Sequence, residues 1–386
     1  MADFSVLIVN YNSWAVLAPG LESIHAHPPR GVDGEPLDYE IIVVDNDSPS
    51  KPEAEIAAVQ ERLREGRDRL ILHDENGGYS KGMNLAYEHC SGDVVLVSNP
   101  DVLYQPDCLH RLVQVLREQP DVGATAPITF ADPGLEARLP TGIVPRLIDR
   151  PLLALAAISR RCVRWYSRVR TPRYVPIFRP GGDLDLEMFA GWGFAIRRDV
   201  IDQVGFFDER YPLYYEDTDL SLRVLEGGFR IVQVEDAHLV HLYNQSGKTA
   251  PDIVQQRHDA SERLFFRRWK GLWGQWVVDL SRAFLRTKFA QSRVGTERHG
   301  VLLPADKRED GVVEIRLPRP CDDFLVEIAF DPYFMLCAGT FGSGDRWSPG
   351  PAMAYAISQQ PTYFRLVDLT TERMTELGQW CSLPPT

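Results

Sequence analysis

No stretch of this sequence is apolar enough for long enough to cross a bilayer. The longest uninterrupted apolar run, 151–158, is far short of a membrane span. The first residues lack a basic n-region and a small-residue cleavage site, so no secretory signal is expected. The six cysteines, at 90, 108, 162, 321, 337 and 381, are scattered with no CxxC pair, which removes the usual zinc and redox-dithiol signatures and fits a reduced, cytoplasmic compartment. Internal repeats and low-complexity tracts are also missing. Two phosphate-binding patterns fail in turn. Gly247-Lys248-Thr249 has the ending of a P-loop, but Leu242 stands where its first glycine belongs. The first strand-like segment runs into Asn10-Tyr11-Asn12 where a dinucleotide enzyme has its glycine-rich turn, and Gly191-Trp192-Gly193 lacks a third glycine.

What is present is ordinary globular composition: 386 residues, 44% hydrophobic and 25% charged. That length suits two or three domains. The formal charge of −12 argues against a nonspecific nucleic-acid binder. Over the first hundred residues, Val- and Ile-dense segments at 4–9, 40–44, 69–73 and 93–98 alternate with helix-like stretches at 13–27, 53–65 and 81–89. This order predicts a right-handed, Rossmann-like α/β layer. Each strand ends in polar or flexible residues: Asn10-Tyr11-Asn12, Asp45-Asn46-Asp47-Ser48, Asn76-Gly77-Gly78 and Asn99-Pro100-Asp101. One such cluster is ordinary turn chemistry. Four at successive carboxyl ends converge on one sheet edge, where open α/β sheets bind ligands, and predict a nucleotide site.

Two segments are rich in arginine and aromatics. Residues 146–173 hold eight arginines against one acid, Asp149, and read either as a surface for an anionic membrane or lipid pyrophosphate, or as a solvated mobile loop. Residues 257–288 read as a packed helix or helix pair, with membrane contact as a further reading. Beyond residue 300, short β-forming segments at 312–317, 324–330, 334–340, 352–358 and 363–368 predict a small separate β-domain.

The chemistry sits in acidic residues. Asn99 and Asp101 are two apart at a rigid strand end, the kind of oxygen donor set that a hard divalent cation on a diphosphate requires. In 214–223, Glu216, Asp217 and Asp219 crowd three carboxylates into four residues beside two tyrosines. Such crowding needs a cation, hydrogen-bond donors or water. Capping of the following helix accounts for one of them and not for three.

Taken in order, several motifs resemble those of the inverting family 2 glycosyltransferases of the GT-A fold, with the bacterial rhamnosyltransferases as the nearest subgroup. They are Val9-Asn10-Tyr11-Asn12, 43–48, 76–84, Ser98-Asn99-Pro100-Asp101, 191–198, 204–209, Glu216-Asp217-Thr218-Asp219 and His241. The match runs from about residue 4 to 270 and leaves the C-terminal β-region outside. The resemblance implies that Tyr11 and Asp45 hold a pyrimidine base, that Asn12 belongs to the same nucleotide-sugar site, and that Asn76, Gly77, Gly78, Lys81 and Asn84 lie under the nucleotide. It further implies Asn99 beside the diphosphate, Mg²⁺ or Mn²⁺ on Asp101 and His241, Asp217 as general base, and Glu216 with Trp192 toward the acceptor. Asn99 departs from the acidic residue often found there and brings no charge. His238, three residues before His241 in a strand-like stretch, faces the other way and is expected to be structural.

The expected architecture is a GT-A domain at 1–250, a helical extension at 251–297 and a β-rich domain at 298–386. The expected activity is transfer of a sugar from a UDP- or dTDP-linked donor to a saccharide or lipid-linked acceptor in cell-surface polysaccharide synthesis. Expected partners are that donor and acceptor, the inner face of the membrane peripherally, and a second copy of the chain, with no nucleic acid. Two alternatives stand beside it: a degenerate scaffold or carbohydrate-binding protein, and a sugar-1-phosphate nucleotidylyltransferase.

Overall fold

A computed structural model of the chain describes residues 2–179, 181–242, 251–294, 303–308, 310–330, 334 and 337–382. The residues 247–249 and the domain boundaries expected at 250 and 297–298 lie outside them. The chain forms two compact units. The first comprises 1–129, 141–144 and 181–269; the second comprises 130–140, 145–180 and 270–386.

In the first unit six strands lie side by side in the order Arg69–His73, Tyr39–Asn46, Phe4–Asn10, Val94–Ser98, Gly193–Arg197 and Val122–Phe130. The first four are parallel, and Gly193–Arg197 then runs antiparallel to both of its neighbours. The chain adds strands outward on one side of Phe4–Asn10, then crosses to its other side for Val94–Ser98. That reversal opens a crevice at the carboxyl ends of these strands.

Period-2 alternation divides the core between the two faces of the sheet. Phe4, Val6, Ile8, Ile41, Val43 and Leu96 pack with Trp14, Leu17, Leu21 and Leu112 on one side. Leu7, Val9, Ile42, Val44, Val95 and Val97 pack with Met83, Phe189, Phe194 and Leu220 on the other. Both faces of the central strands are buried because helices cover both, which is why Phe4–Asn10 and Val94–Ser98 are apolar nearly throughout.

The helices Trp14–Ala26, Glu53–Arg62 and Tyr79–Glu88 fall where the periodicity predicts them, within a few residues at their ends. The 257–288 stretch falls in the long helical segment Pro251–Leu285, two helices that meet at a kink at Gly271. The break sits at φ 67°, ψ −164°, a conformation open essentially only to glycine.

The second unit contains the helices Asp149–Ala156 and Arg160–Phe178, so the arginine-rich segment is helical and the reading of it as a mobile loop is overturned. Its strands Leu303–Pro304, Thr375–Ser382, Thr362–Asp368, Val313–Ala329 and Ala338–Trp347 lie next to one another in that order. The pairs from Thr375–Ser382 to Ala338–Trp347 are antiparallel. The segments expected at 312–317 and 324–330 are a single strand, with register irregularities between Arg316 and Phe324. One expectation fails outright: 352–358 is not a strand but the helix Pro351–Ser358. Proline at the first helical position presets the backbone for a helix, and Met353 and Ile357, four apart, are the buried pair.

Phe194 is fully buried, stacked 3.7 Å from Phe189 and edge-on to Phe207 at 6.4 Å. Phe194→Ala should therefore lower unfolding free energy by about 3–5 kcal/mol in urea titrations, because the cavity lies between a rigid sheet and helices that cannot collapse onto it.

Candidate active site

At the edge of the sheet the first two strand ends lock together. Asp45 is fully buried. Its carboxylate accepts from Asn10 Nδ2 at 2.7 Å, Ser48 Oγ at 2.5 Å and Ser48 N at 3.1 Å. Ser48 Oγ also accepts from Asn12 N at 2.7 Å, and Asn10 Oδ1 from Ser13 N at 3.2 Å. Asn12 and Asp47 both turn with φ 55°, a region that asparagine and aspartate tolerate better than most residues. Asn10 and Ser48 are thus the supports that fix Asp45. The sequence reading quoted both inside motifs but gave neither a role; the spacing Asp-x-x-Ser was the available signal.

The next loop is held from three directions. Asn76 Oδ1 accepts from Gly78 N at 3.2 Å, from Asn46 Nδ2 at 3.3 Å and from Arg257 at 3.1 Å. Gly78 has φ 92°, and a Cβ on it would lie 2.6 Å from the Pro212 carbonyl. Gly77 has the stem of Lys81 against it, with Cδ 2.5 Å from where a Cβ would stand, and Lys81 itself is exposed. Tyr79 N donates to Pro212 O at 3.2 Å, so the first amides of this helix are partly engaged by protein. Asn84 points away from the loop: its Nδ2 donates to Phe207 O at 2.9 Å and Glu209 at 3.0 Å. In this structure Asn84 buttresses the 207–209 turn.

Sheet pairing brings Asp101 and His241 together across 140 residues. The strand Arg230–His241 runs antiparallel to Val102–Tyr104 with His241 opposite Val102. Asp101 Oδ1 lies 3.1 Å from His241 Nε2, and both side chains are about 5% exposed. Trp192 stacks on the imidazole, ring centroids 5.2 Å apart at 28°, while its Nε1 donates to Thr129 Oγ1 at 2.9 Å. Trp192 O accepts from Asn99 N at 3.0 Å, tying the Asn99-Pro100-Asp101 turn to the Gly-Trp-Gly turn. His238 lies elsewhere, with Nε2 2.9 Å from the Glu235 carbonyl.

Asp217 closes the group. Its Oδ2 accepts from Gly191 N at 2.9 Å, and its Oδ1 from Thr218 N at 2.6 Å and Thr218 Oγ1 at 3.2 Å. The Gly191 carbonyl in turn accepts from Tyr79 OH at 3.0 Å, a contact the sequence reading missed. Burial pushes the Asp217 carboxyl up, against the lowering pull of the Gly191 and Thr218 amides. Tyr79 is pushed well above its usual value, first by burial and then by the charges of Glu216, Asp217 and Asp101. Asp101, His241, Trp192, Gly191, Tyr79 and Asp217 therefore form one connected cluster.

The acidic turn is set by strain and by partners. Tyr214 and Tyr215 occupy consecutive left-handed conformations, φ 65° and 67°, immediately before the helix Glu216–Glu226. Non-glycine residues in this region cost of order 1–3 kcal/mol each and survive only where surrounding structure enforces them. That enforcement comes from the long helix, where Ser261 Oγ donates to Leu213 O at 2.8 Å and Tyr215 OH to Glu262 at 3.1 Å. Asp219 belongs to this scaffold. Fully buried, it bonds Tyr211 OH, Arg223 Nε and Trp269 Nε1 at 3.2, 2.9 and 2.9 Å and lies 3.2 Å from Arg268. Glu216 is different. It is 5% exposed and its Oε2 is buried without a hydrogen-bond partner. Burial, then the Asp217 charge, raises its carboxyl well above the usual range.

The donor set at Asp101 and His241 is one carboxylate oxygen and one imidazole nitrogen, a combination that suits Mn²⁺ and, more weakly, Mg²⁺. Among the described residues no group of three or more acidic, histidine or cysteine side chains converges on a metal position. Two protein ligands fit an ion that shares its remaining positions with a diphosphate.

The sequence profile of glycosyl transferase family 2 matches residues 5–205, more than half of the chain. The chain belongs to that family. Its first unit has the GT-A fold. It is 30% identical over 217 residues to the N-acetylglucosaminyl-diphospho-decaprenol L-rhamnosyltransferase of Mycobacterium tuberculosis, covering 53% of this chain and 69% of that one. It is also 22% identical over 261 residues to the uncharacterised glycosyltransferase YwdF of Bacillus subtilis, covering 67% of this chain and 82% of that one. Among solved structures, a mannosyltransferase from Pyrobaculum calidifontis in complex with GDP-Man and Mn²⁺ matches at 18% identity and a TM-score of 0.45 over 76% of each chain.

Glu216 gives a stability test for this family 2 chain. A carboxyl whose folded pKa is raised keeps its full contribution below the unfolded value and loses it as pH rises toward the folded one. Glu216→Gln cannot ionise, so its melting temperature relative to wild type should rise between pH 4 and pH 8. A pH-independent difference between the two proteins would rule this out.

Proposed function

We propose that the chain is an inverting glycosyltransferase that moves a sugar, rhamnose in the reading its mycobacterial relative favours, from a dTDP- or UDP-linked donor to a hydroxyl of a lipid-linked saccharide. The observation that carries this is the connected cluster running from Asp101 through His241 and Trp192 to Asp217. It sets a candidate base and a candidate diphosphate-metal pair at one end of the sheet.

In this reading Asp45, fixed by Asn10 and Ser48, accepts the ring imide N–H of the pyrimidine, with Tyr11 and Asn12 beside it. Asn76, Gly77, Gly78 and Lys81 lie under the diphosphate, with Lys81 as the cation that reaches it and Asn84 supporting from behind. Asp101 and His241, with Asn99 adjacent, hold Mg²⁺ or Mn²⁺, which when bound offsets the negative charge of the departing diphosphate. Asp217 takes the proton from the acceptor hydroxyl. The acceptor oxygen bonds to the anomeric carbon as the bond to the diphosphate breaks on the opposite face, so configuration inverts. Charge at the sugar is oxocarbenium-like in such a step. Glu216, its carboxyl raised by burial and by the Asp217 charge, lies beside Asp217 on the acceptor side. The Trp192 ring, backed by His241, borders the acceptor side.

The test is a thermal-shift panel with Mn²⁺ and UDP, dTDP, GDP, CDP, ATP or NAD⁺, on wild type, Asp101→Ala and Asp217→Asn. UDP or dTDP should stabilise wild type by mass action, with the shift lost in Asp101→Ala and kept in Asp217→Asn. Asp217→Asn should lower turnover by about 10²–10⁴-fold, the usual size of a general-base contribution. The acidic limb of the wild-type pH profile should lie above the usual aspartate range, because Asp217 must be ionised to act. Stabilisation by ATP or NAD⁺ alone would refute the assignment. Silence toward every nucleotide would favour a scaffold.

Membrane contact is proposed at the distal half of the long helix. Leu272, Trp273, Trp276 and Leu280 are 60%, 66%, 58% and 67% exposed, with Lys270, Arg282, Arg286 and Lys288 in the same stretch. Spacings of four put Leu272, Trp276 and Leu280 on one face, the pattern of a helix lying in a lipid interface. No helix among the described residues is long and apolar enough to cross a membrane. Wild type should sediment with phosphatidylglycerol vesicles at low salt, and Trp273→Ser/Trp276→Ser should lose most of that binding. Equal sedimentation of the two would remove the helix as the contact.

A further inference from the structure

The second unit holds an arginine arrangement with more positive charge than its own acids balance. Glu327 is fully buried and meets two arginines. Arg365, also fully buried, donates through Nε at 2.5 Å and pairs again through its terminal nitrogen. Arg170, 5% exposed, pairs at 3.0 Å. Burial alone would push the Glu327 carboxyl up, yet Arg365 and Arg170 hold it below its usual value. Cys337, 3.3 Å from Arg170, is pushed up to about 12 by burial and stays a neutral thiol. Two guanidiniums thus share one carboxylate in a dry cluster.

Arg365 is also part of a wall. A cavity of about 260 Å³ is lined by Arg365 and Thr375 from the sheet side and by Arg164, Ser167, Arg168 and Thr171 from the helix Arg160–Phe178. Positions 164, 167, 168 and 171 follow the i, i+3, i+4, i+7 rule, so one helix face presents two cations and two hydroxyls to the same space. Ser167 and Thr171 already hydrogen-bond the Arg365 guanidinium, which orients it beneath the cavity. Arg164 and Arg168 are exposed, and neither pairs with a carboxylate among the described residues. Like charges four apart on a helix repel by a few tenths of a kcal/mol. Against these three guanidiniums the wall offers one acid, Glu376, which accepts from Gln379 at 3.3 Å. Val367, Met374 and Pro172 complete the lining with apolar surface.

We propose that this cavity is a second ligand site, a receptor for a phosphate-bearing group, with Arg164 and Arg168 as its gripping cations and Arg365 as its fixed floor. Guanidinium forks bind phosphate through paired N–H donors, and the Ser167 hydroxyl between them supplies a further donor, while the Thr171 hydroxyl is given to Glu327 Oε1 at 3.3 Å. The apolar part of the lining suits a diphosphate that carries a hydrocarbon tail. The site lies wholly within the second unit and does not depend on the reaction assigned to the first.

The experiment is calorimetric titration of the full chain with inorganic pyrophosphate, without divalent metal and in the Asp101→Ala background, which weakens the diphosphate site of the first unit. Saturable binding is expected, and Arg164→Gln/Arg168→Gln should weaken it by about tenfold or more, since hydrogen bonds to charged groups are the strong ones. Both side chains are exposed, so the melting temperature of the double variant should match its parent. Farnesyl diphosphate in a parallel titration separates the sources: tighter binding than pyrophosphate identifies a lipid-borne diphosphate, and equal binding a free one. No saturable heat with either probe, or equal affinity in the double variant, overturns the site.

Discussion

The structure turns on keeping carboxylates out of water at one edge of a sheet. An ionised carboxylate taken from water into a low-dielectric setting costs several kcal/mol unless donors meet it. Asp45 is met by Asn10 and Ser48, Asp101 by His241, and Asp217 by the Gly191 amide and Thr218. Each set of donors comes from a different part of the chain, so satisfying the acids forces the turns to converge. The geometry of the site is in this sense a consequence of desolvation.

Strain follows from the same requirement. Tyr214 and Tyr215 take left-handed conformations that start the helix Glu216–Glu226 where Asp217 reaches the Gly-Trp-Gly turn. The cost is carried by the long helix, whose Ser261, Glu262, Arg268 and Trp269 hold the turn from behind. Of the three acids in that turn, Asp219 is consumed in this support, Asp217 is held by amides, and Glu216 is left as a buried acid. Residues adjacent in sequence thus take three different chemical parts because their surroundings differ, which is how titratable groups are set apart in general.

The second unit uses arginine where the first uses acids. Its buried Glu327 resembles Asp219 in being spent on two guanidiniums, Arg365 and Arg170 where Asp219 has Arg223 and Arg268. The helix Arg160–Phe178 serves both purposes, with Arg170 turned inward to Glu327 and Arg164 and Arg168 turned to the cavity. That division is a matter of helical phase and could not be seen in a count of eight arginines.

The α/β layer, its strand-end polar clusters and the family were legible in the sequence, because period-2 apolar segments and turn residues are local signals. Asp101 and Asp217 were candidates for the same reason: acids at a strand end or a helix start need a purpose. The helix Pro351–Ser358 was misread because its alanines and isolated apolar residues fit a short strand as well as a helix, and only the proline phase distinguished them. What the tertiary structure alone decided was partnership. That Asn10 helps fix Asp45, that Asp219 is held by Trp269 and Arg268, and that Arg365 floors a cavity all depend on residues tens to hundreds of positions apart. Sequence fixes which groups can ionise or donate; only the packed chain decides which of them share a space without water.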